Sequence, residues 1–401
     1  MLFILGTLLL TVLADRLVGS FIEKPVEAAG LIFPPGSTLT YQTPEFSFTA
    51  HINRLGFRDR EFTLTKEAGT RVLVIGDSFT YGWGVSAEQS WPKVLEASLR
   101  ERGYDIEVAN LGQPGASPVA DAQTAVRAIP LLKPDIVIVG ITQGDDLAQL
   151  KREEGSLTSP ARTGGHEAAK SFVRDDASPL AGAVMSRLYP NLLFLLRKRA
   201  LSRQLVNTEW KSQAESILQA LTTEERTRFD RLDREVRERF QRGELNPSLL
   251  QGTLKRPDYF IEMLETSRPA VRAMISAMSQ ALMNIKEVAA GNRAEVVVVS
   301  IPYKVYASRR DLESSRRLGL SLVPEMVTSN AASEAIGAAG ASSGVRVFDV
   351  TEAFRVRADE ASMFFELDGH LNPKGHEVFA HLLMPALESY LSEAGKVSPQ
   401  R

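Results

Sequence analysis

The 401-residue chain has no cysteine. That excludes disulfides, thiolate metal sites, a cysteine nucleophile and a lipid-bearing cysteine. It also lacks an excess of either charge: 47 Lys and Arg stand against 49 Asp and Glu, a net of −2. A nucleic-acid binder needs a basic face to neutralise phosphates, so no nucleic-acid partner is expected. Histidine is scarce, with five residues, and the spacing of His370, His376 and His381 does not place two on one helix face as a zinc site would need. No metal and no cofactor is therefore expected. The chain has no G-x-x-x-x-G-K-[ST] loop for nucleotide phosphates, and no G-x-S-x-G elbow, because Phe79-Thr80 follow Ser78. What is present is an ordinary globular composition, 44% hydrophobic and 24% charged, sufficient for a packed core.

One long apolar run stands at the N-terminus, "LFILGTLLLTVLA" from Leu2 to Ala14, before Asp15 and Arg16 interrupt it. A bilayer span takes about 20 apolar residues, so this run alone is short. It has the length of a signal-peptide hydrophobic region without the basic segment before it or an A-x-A site behind it. Residues 1–22 are expected to be an uncleaved membrane anchor or export signal, with a buried N-terminal helix as the alternative. The main domain would then lie outside the cytoplasm, in the periplasm and anchored to the inner membrane. Residues 23–70 are rich in Pro, Thr, Phe and Gly and read as an extended linker that packs as an edge strand, with Pro34-Pro35-Gly36 as a turn.

From Arg71 the pattern changes. Apolar runs at 72–75, 106–109, 136–140, 296–301 and 345–348 read as buried parallel strands. Helical patterns lie between them. Ser90 with Pro92 opens one helix that Gly103 closes, Val271 to Ile285 repeats at helical spacing, and a last helix runs from about Pro373 to Leu391. Alternating strands and helices predict an α/β fold with a doubly wound parallel sheet over residues 71–392, followed by a tail at 393–401. The alternation breaks over 148–265, a helical insertion with no convincing strand. Thr222 and Glu225 form a capping box there, and Phe229, Leu232, Val236 and Phe240 stripe one charged helix that stops at Gly243. "LLFLLRKR" at 192–199 reads as a helix packed on the core or a lid, with contact at a membrane surface as the alternative.

In an open parallel sheet, ligands bind beyond the carboxyl ends of the strands. Four informative segments are expected at such ends: Gly76-Asp77-Ser78, "NLGQPGAS" at 110–117, "GITQGDDL" at 140–147 and "DGHLNPKGH" at 368–376, just before the last helix. Ser78 is a candidate nucleophile. A serine hydroxyl needs a base within hydrogen-bond reach and an orienting partner for that base. His370 is the best candidate base and Asp368 the best partner, with Glu366 a competing acid. The competing reading, a dinucleotide loop at Gly82-Trp83-Gly84, starts too far beyond its strand and lacks an acidic residue at the end of the second strand, where Asn110 stands.

"GDSFTYGWGV", "NLGQPGAS" and "DGHLNPKGH", in this order, resemble the signature blocks of the SGNH/GDSL hydrolase family, and "INRLGFRDREF" resembles the segment that precedes the serine block in membrane-anchored bacterial members. The resemblance covers residues 71–147 and about 266–392. It implies a flavodoxin-like sheet and a serine esterase or acyltransferase acting on ester bonds, for example O-acetyl groups of cell-envelope polysaccharide. By position it implies Ser78 as nucleophile, His370 as base and Asp368 as third triad member, with the N–H groups of Gly115 and Ser78 in the oxyanion hole. Asp77 is expected to be structural. One position departs from the family pattern. Asp145 stands where an asparagine would donate to the oxyanion, and an ionised carboxylate only accepts hydrogen bonds. Either Asp145 is protonated beside Asp146, or Gln143 or backbone groups supply the donor, or the hole is weakened. A degenerate relative that binds or scaffolds glycan is the non-enzyme alternative.

Overall fold

The computed structural model describes residues 2–21, 30–67, 69–154, 187–193, 195 and 206–393. Five parallel strands form the central sheet: β3 (Thr70–Gly76), β4 (Ile106–Gly112), β5 (Ile136–Thr142), β6 (Glu295–Ile301) and β7 (Arg346–Asp349), in the order β4-β3-β5-β6-β7. This is the flavodoxin-like order, in which the chain steps outward from β3 to β4 and then returns past β3 to β5. The crevice opens where that reversal happens, between the carboxyl ends of β3 and β5.

Side chains alternate across each strand, so consecutive apolar residues serve two cores. Val72, Val74, Val108, Ile138 and Val297 face the helices Trp91–Glu101 and Pro373–Glu393. Leu73, Ile75, Leu111, Val139 and Val298 face the helices Pro118–Leu132, Pro269–Gly291 and Ala331–Ser343. Apolar burial at about 25 cal/mol per Å² on both faces holds the sheet.

The segment before the sheet differs from the expected edge strand. β1 (Thr38–Gln42) and β2 (Ser47–His51) pair antiparallel with each other in a two-stranded sheet of their own. Phe46 and Phe48 from this hairpin pack with Tyr81, Trp83 and Trp210 in a separate aromatic cluster. That apolar face is satisfied by side chains, so the hairpin has no need of the parallel sheet's edge.

Among the described residues of 148–265 there is no strand. The striped helix expected near 229–240 is two helices, Thr223–Arg231 and Arg234–Arg242. The break has a cause: Asp233 leaves helical geometry and caps the second helix through the N–H groups of Glu235 and Val236. Their apolar stripe closes a small core that includes Leu367, next to Asp368. Only Leu192, Leu193 and Leu195 of the 192–199 stretch are described, so its expected packing lies mostly outside the described residues.

The N-terminal helix α1 spans Leu2–Phe21. Asp15 is buried and accepts from the N–H of Leu192 at 2.8 Å and the side chain of Asn191 at 3.0 Å. The membrane anchor expected for 1–22 gains no support: among the described residues, no helix is long and apolar enough to cross a membrane.

Candidate active site

β3 ends in Gly76, and the chain turns at once into the short helix α2, Ser78–Tyr81. Asp77 is its N-cap: a side-chain oxygen accepts from Phe79 N–H at 2.9 Å. Gly82 ends it at φ 80°, a left-handed conformation that glycine adopts without a Cβ clash. The turn lies tight on the sheet because glycine stands opposite Gly76 in both neighbouring strands, Gly112 at the end of β4 and Gly140 within β5. A Cβ on Gly112 would collide with the backbone of Tyr81, and one on Gly140 with the Thr80 hydroxyl. Asn110, at the end of β4, donates from Nδ2 to the Thr80 carbonyl at 2.8 Å. Arg58, 2% exposed, donates to the carbonyls of Tyr81, Gly82 and Val85. These contacts fix Ser78 at the mouth of the crevice, partly exposed.

The structure brings Ser78, His370 and Asp368 into one chain of hydrogen bonds. Ser78 Oγ lies 2.7 Å from His370 Nε2, and His370 Nδ1 lies 2.6 Å from Asp368 Oδ1. The other carboxylate oxygen of Asp368 accepts from Trp83 Nε1 at 3.3 Å. His370 packs between the rings of Phe79 and Trp83, with centroids 4.9 and 5.8 Å away. Burial works to lower the His370 pKa, but the charge and hydrogen bond of Asp368, with the nearby charges of Asp77 and Asp145, overcome it, and the pKa is raised above its ordinary value.

The competing acid is elsewhere. Glu366 points to the surface, with 64% of its side chain exposed, and pairs with Arg317 at 2.6 Å. Asp77 is fully buried, and burial followed by the charge of Asp145 pushes its pKa up to about 7. Its N-cap bond is the structural role expected of it.

The oxyanion candidates separate. Gly115 lies in the turn beyond β4 at φ 75°, with open space where a side chain would stand. Ser78 N–H belongs to the first turn of α2, where helical N–H groups have no partner within the helix. Gln143 is buried with its amide turned into the core, donating to Ser300 Oγ at 3.0 Å and Thr351 Oγ1 at 2.5 Å. The expected donor role is therefore not what the structure offers for Gln143: its NH₂ is committed beneath the sheet end. Asp145 opens helix α5 (Asp145–Glu154), and both its oxygens accept, from Tyr259 Oη at 2.6 Å and Gln149 Nε2 at 3.0 Å.

Among the described residues, no other histidine joins the hydrogen-bonded chain of Ser78, His370 and Asp368. His376 is buried, and its Nδ1 accepts from Trp91 N–H at 3.2 Å; burial, then the charges of His370 and Arg58, push its pKa down to about 3. His51 and His381 are exposed, and His166 lies outside the described residues. Among the described residues, no group of three or more metal-ligating side chains is gathered. Sequence reasoning missed Glu45, Lys304 and Tyr259, which surround the site from distant segments and carry no local signal.

Residues 74–244 match the model of the GDSL-like Lipase/Acylhydrolase family. Esterase TesA of Pseudomonas aeruginosa is 29% identical over 108 residues, which cover 25% of this chain and 54% of that protein. An arylesterase of Vibrio mimicus is 30% identical over 81 residues, 20% of this chain and 40% of that protein. The chain thus spans about half the length of the curated relatives it matches. The crystal structure of TesA covers 80% of this chain and 98% of its own, at 12% identity and a TM-score of 0.35, a likeness too slight to add to the strand order seen directly. The family match runs through the strand and turn that carry Ser78, so the segment 74–244 is similar to the GDSL-like Lipase/Acylhydrolase family at the place where the candidate nucleophile stands.

Proposed function

We propose that the protein is a serine-dependent ester hydrolase or acyltransferase acting on O-acyl groups. The observation that carries this reading is the relay of Ser78, His370 and Asp368, with contacts of 2.7 and 2.6 Å. Neutral His370, holding its proton on Nδ1 against Asp368, accepts the Ser78 proton at Nε2 as Oγ attacks the ester carbonyl. The tetrahedral oxyanion is met by the N–H groups of Ser78 and Gly115. His370 then returns the proton to the leaving alkoxide, and an acyl-serine remains. Water or a second hydroxyl, deprotonated by His370, takes the acyl group and frees Ser78. The curated relatives named as esterases support the ester-cleaving class.

Acetyl groups on envelope polysaccharide are the substrate class we favour. An exported location accords with the apolar N-terminal stretch and the absence of cysteine, and cell fractionation tests it. The alternative, a glycan-binding protein without turnover, draws on Asp145, whose carboxylate stands where an oxyanion donor is wanted and is held as an acceptor by Tyr259 and Gln149.

The test is p-nitrophenyl acetate hydrolysis and fluorophosphonate labelling of residues 23–401 and of Ser78→Ala. Turnover and labelling that vanish in the variant are expected. Neither signal in folded protein would sink the enzyme reading in favour of glycan binding. Labelling without turnover would identify an acyltransferase lacking its acceptor.

A further inference from the structure

The loop 365–368 presents Asp368 to His370, and side chains of opposite charge hold it from two directions. Glu45, in the turn of the β1–β2 hairpin, accepts from the N–H of Leu367 at 2.9 Å and of Asp368 at 3.2 Å. Lys304, just beyond β6, donates to the carbonyls of Phe365, at 3.3 Å, and Glu366. Lys304 is 1% exposed and the Glu45 side chain 14%. Three consecutive peptide groups between Phe365 and Asp368 are thus gripped, the first two at their carbonyls by a cation and the last two at their N–H groups by an anion. Hydrogen bonds to charged groups are about twice as strong as neutral ones. Arg239, from the helical insertion, donates to Glu45 at 3.3 Å, so the insertion and the hairpin both bear on the same loop.

Glu45 stands in an unfavourable place for a carboxylate. Burial pushes its pKa up and the like charge of Asp368 adds to this, while the two backbone bonds oppose it. A charged group kept there at that cost, bonded to the backbone of the triad acid itself, points to a task in setting that acid.

Resting on the triad reading above, we propose that Glu45 is a positioning residue that, with Lys304, sets the Asp368 carboxylate against His370 Nδ1. Glu45 touches neither Ser78 nor His370. Its effect passes through the backbone of Asp368. A displacement of about 1 Å at such a site costs on the order of 10²-fold in rate, so Glu45→Ala is expected to lower kcat by roughly 10- to 100-fold with KM little changed.

The deciding experiment needs no substrate. The imidazole of His370 is titrated by NMR in histidine-labelled full chain, its signal assigned by loss in His370→Gln, for wild type, Glu45→Ala, Glu45→Gln and Lys304→Met. The Asp368 charge and bond raise the His370 pKa, so a slackened loop lowers it. Glu45→Ala is expected to move it down by at least about half a pH unit, and Glu45→Gln, which keeps one oxygen acceptor, by less. Lys304→Met is expected to move it down as well, although loss of a nearby positive charge by itself would move it up. An unchanged titration in Glu45→Ala, equal shifts for Ala and Gln, or an upward shift in Lys304→Met would each overturn the proposal. If Glu45→Ala does not fold, the sign of the Lys304→Met shift decides. Absence of esterase activity with these shifts present would sink the proposed function alone. Activity with unmoved titrations would sink only this role for Glu45.

Discussion

The two halves of the candidate triad are held in opposite ways. Ser78 is fixed mainly by its own neighbourhood: Asp77 caps α2, Tyr81 N–H reaches the Asp77 carbonyl, Gly82 N–H reaches the Ser78 carbonyl, and Gly82 turns the chain away. The acid–base loop has only two short-range backbone bonds of its own, Phe365 N–H to His370 and Gly369 N–H to Phe365. Its further support comes from distant segments: Trp83, 285 positions from Asp368, Glu45, 322 positions from Leu367, and Lys304, 62 positions from Glu366. A nucleophile built on a strand end inherits the rigidity of the sheet. A base on a loop has to borrow its rigidity from elsewhere. The contrast predicts that damage to the loop reaches catalysis through orientation and damage to the turn reaches it through folding.

The largest expected effect tests the loop. In Asp368→Asn the amide oxygen is expected to keep the Trp83 bond, which leaves the NH₂ facing His370 Nδ1. That nitrogen must then accept, the ring proton moves to Nε2, and Nε2 can no longer take the proton of Ser78. A drop in kcat of about 10³–10⁴-fold with an unchanged melting temperature is expected. A loss of stability in place of the loss of rate would make the loop structural and erase the contrast.

What was legible in the sequence follows the same division. The parallel strands, their α/β class and the Ser78 turn could be read because each is written in a contiguous stretch: strands of four to seven residues with apolar centres and, after the first of the five, Gly76-Asp77-Ser78. The Asp368–His370 pair was legible as a short spacing, but its nearness to Ser78 was not, since that depends on the packing of the last helix and the hairpin. Glu45 was unreadable. It lies in a turn, "TPEFSF", that looks like any polar hairpin tip, and its partners are backbone N–H groups, which leave no mark on a sequence. Gln143 misled for the complementary reason. It stands directly after β5, but Ser300 and Thr351, from β6 and from the start of the helix Thr351–Glu360, take its amide.

A middle-sized effect tests the turn. Arg58 is a charged support of the turn from outside it, a buried guanidinium bonded to three carbonyls of 81–85 and lying over the rings of Phe48 and Tyr81. Arg58→Met keeps much of the volume and leaves those carbonyls unpaired, at a cost of about 2–4 kcal/mol. Urea unfolding measures it. Folded Arg58→Met is expected to keep the rate within a few-fold, because Asp77 and Gly82 still shape the turn. A collapse of the rate at unchanged stability would show that the turn, like the loop, depends on remote positioning.

The smallest expected effect concerns Asp145, whose charge acts on His370 and on Asp77, the neighbour of Ser78. Its charge is among those that raise the His370 pKa. His370 acts as a base only when neutral, so the acid limb of the kcat profile should lie above the ordinary imidazole value of about 6.5. Asp145→Asn removes one of the supporting charges, and the limb is expected to move to lower pH by less than about one unit. The alkaline plateau carries separate information. Gln149, at the surface of α5, can turn its amide to accept from the new NH₂, so the Asn side chain is expected to stay bound to Tyr259 and Gln149 and the plateau to hold. A plateau that rises by an order of magnitude or more would mean that the amide has reached the oxyanion. The native carboxylate would then be a brake on the reaction, and the oxyanion site, rather than the loop, would be where this chain departs furthest from an efficient serine hydrolase.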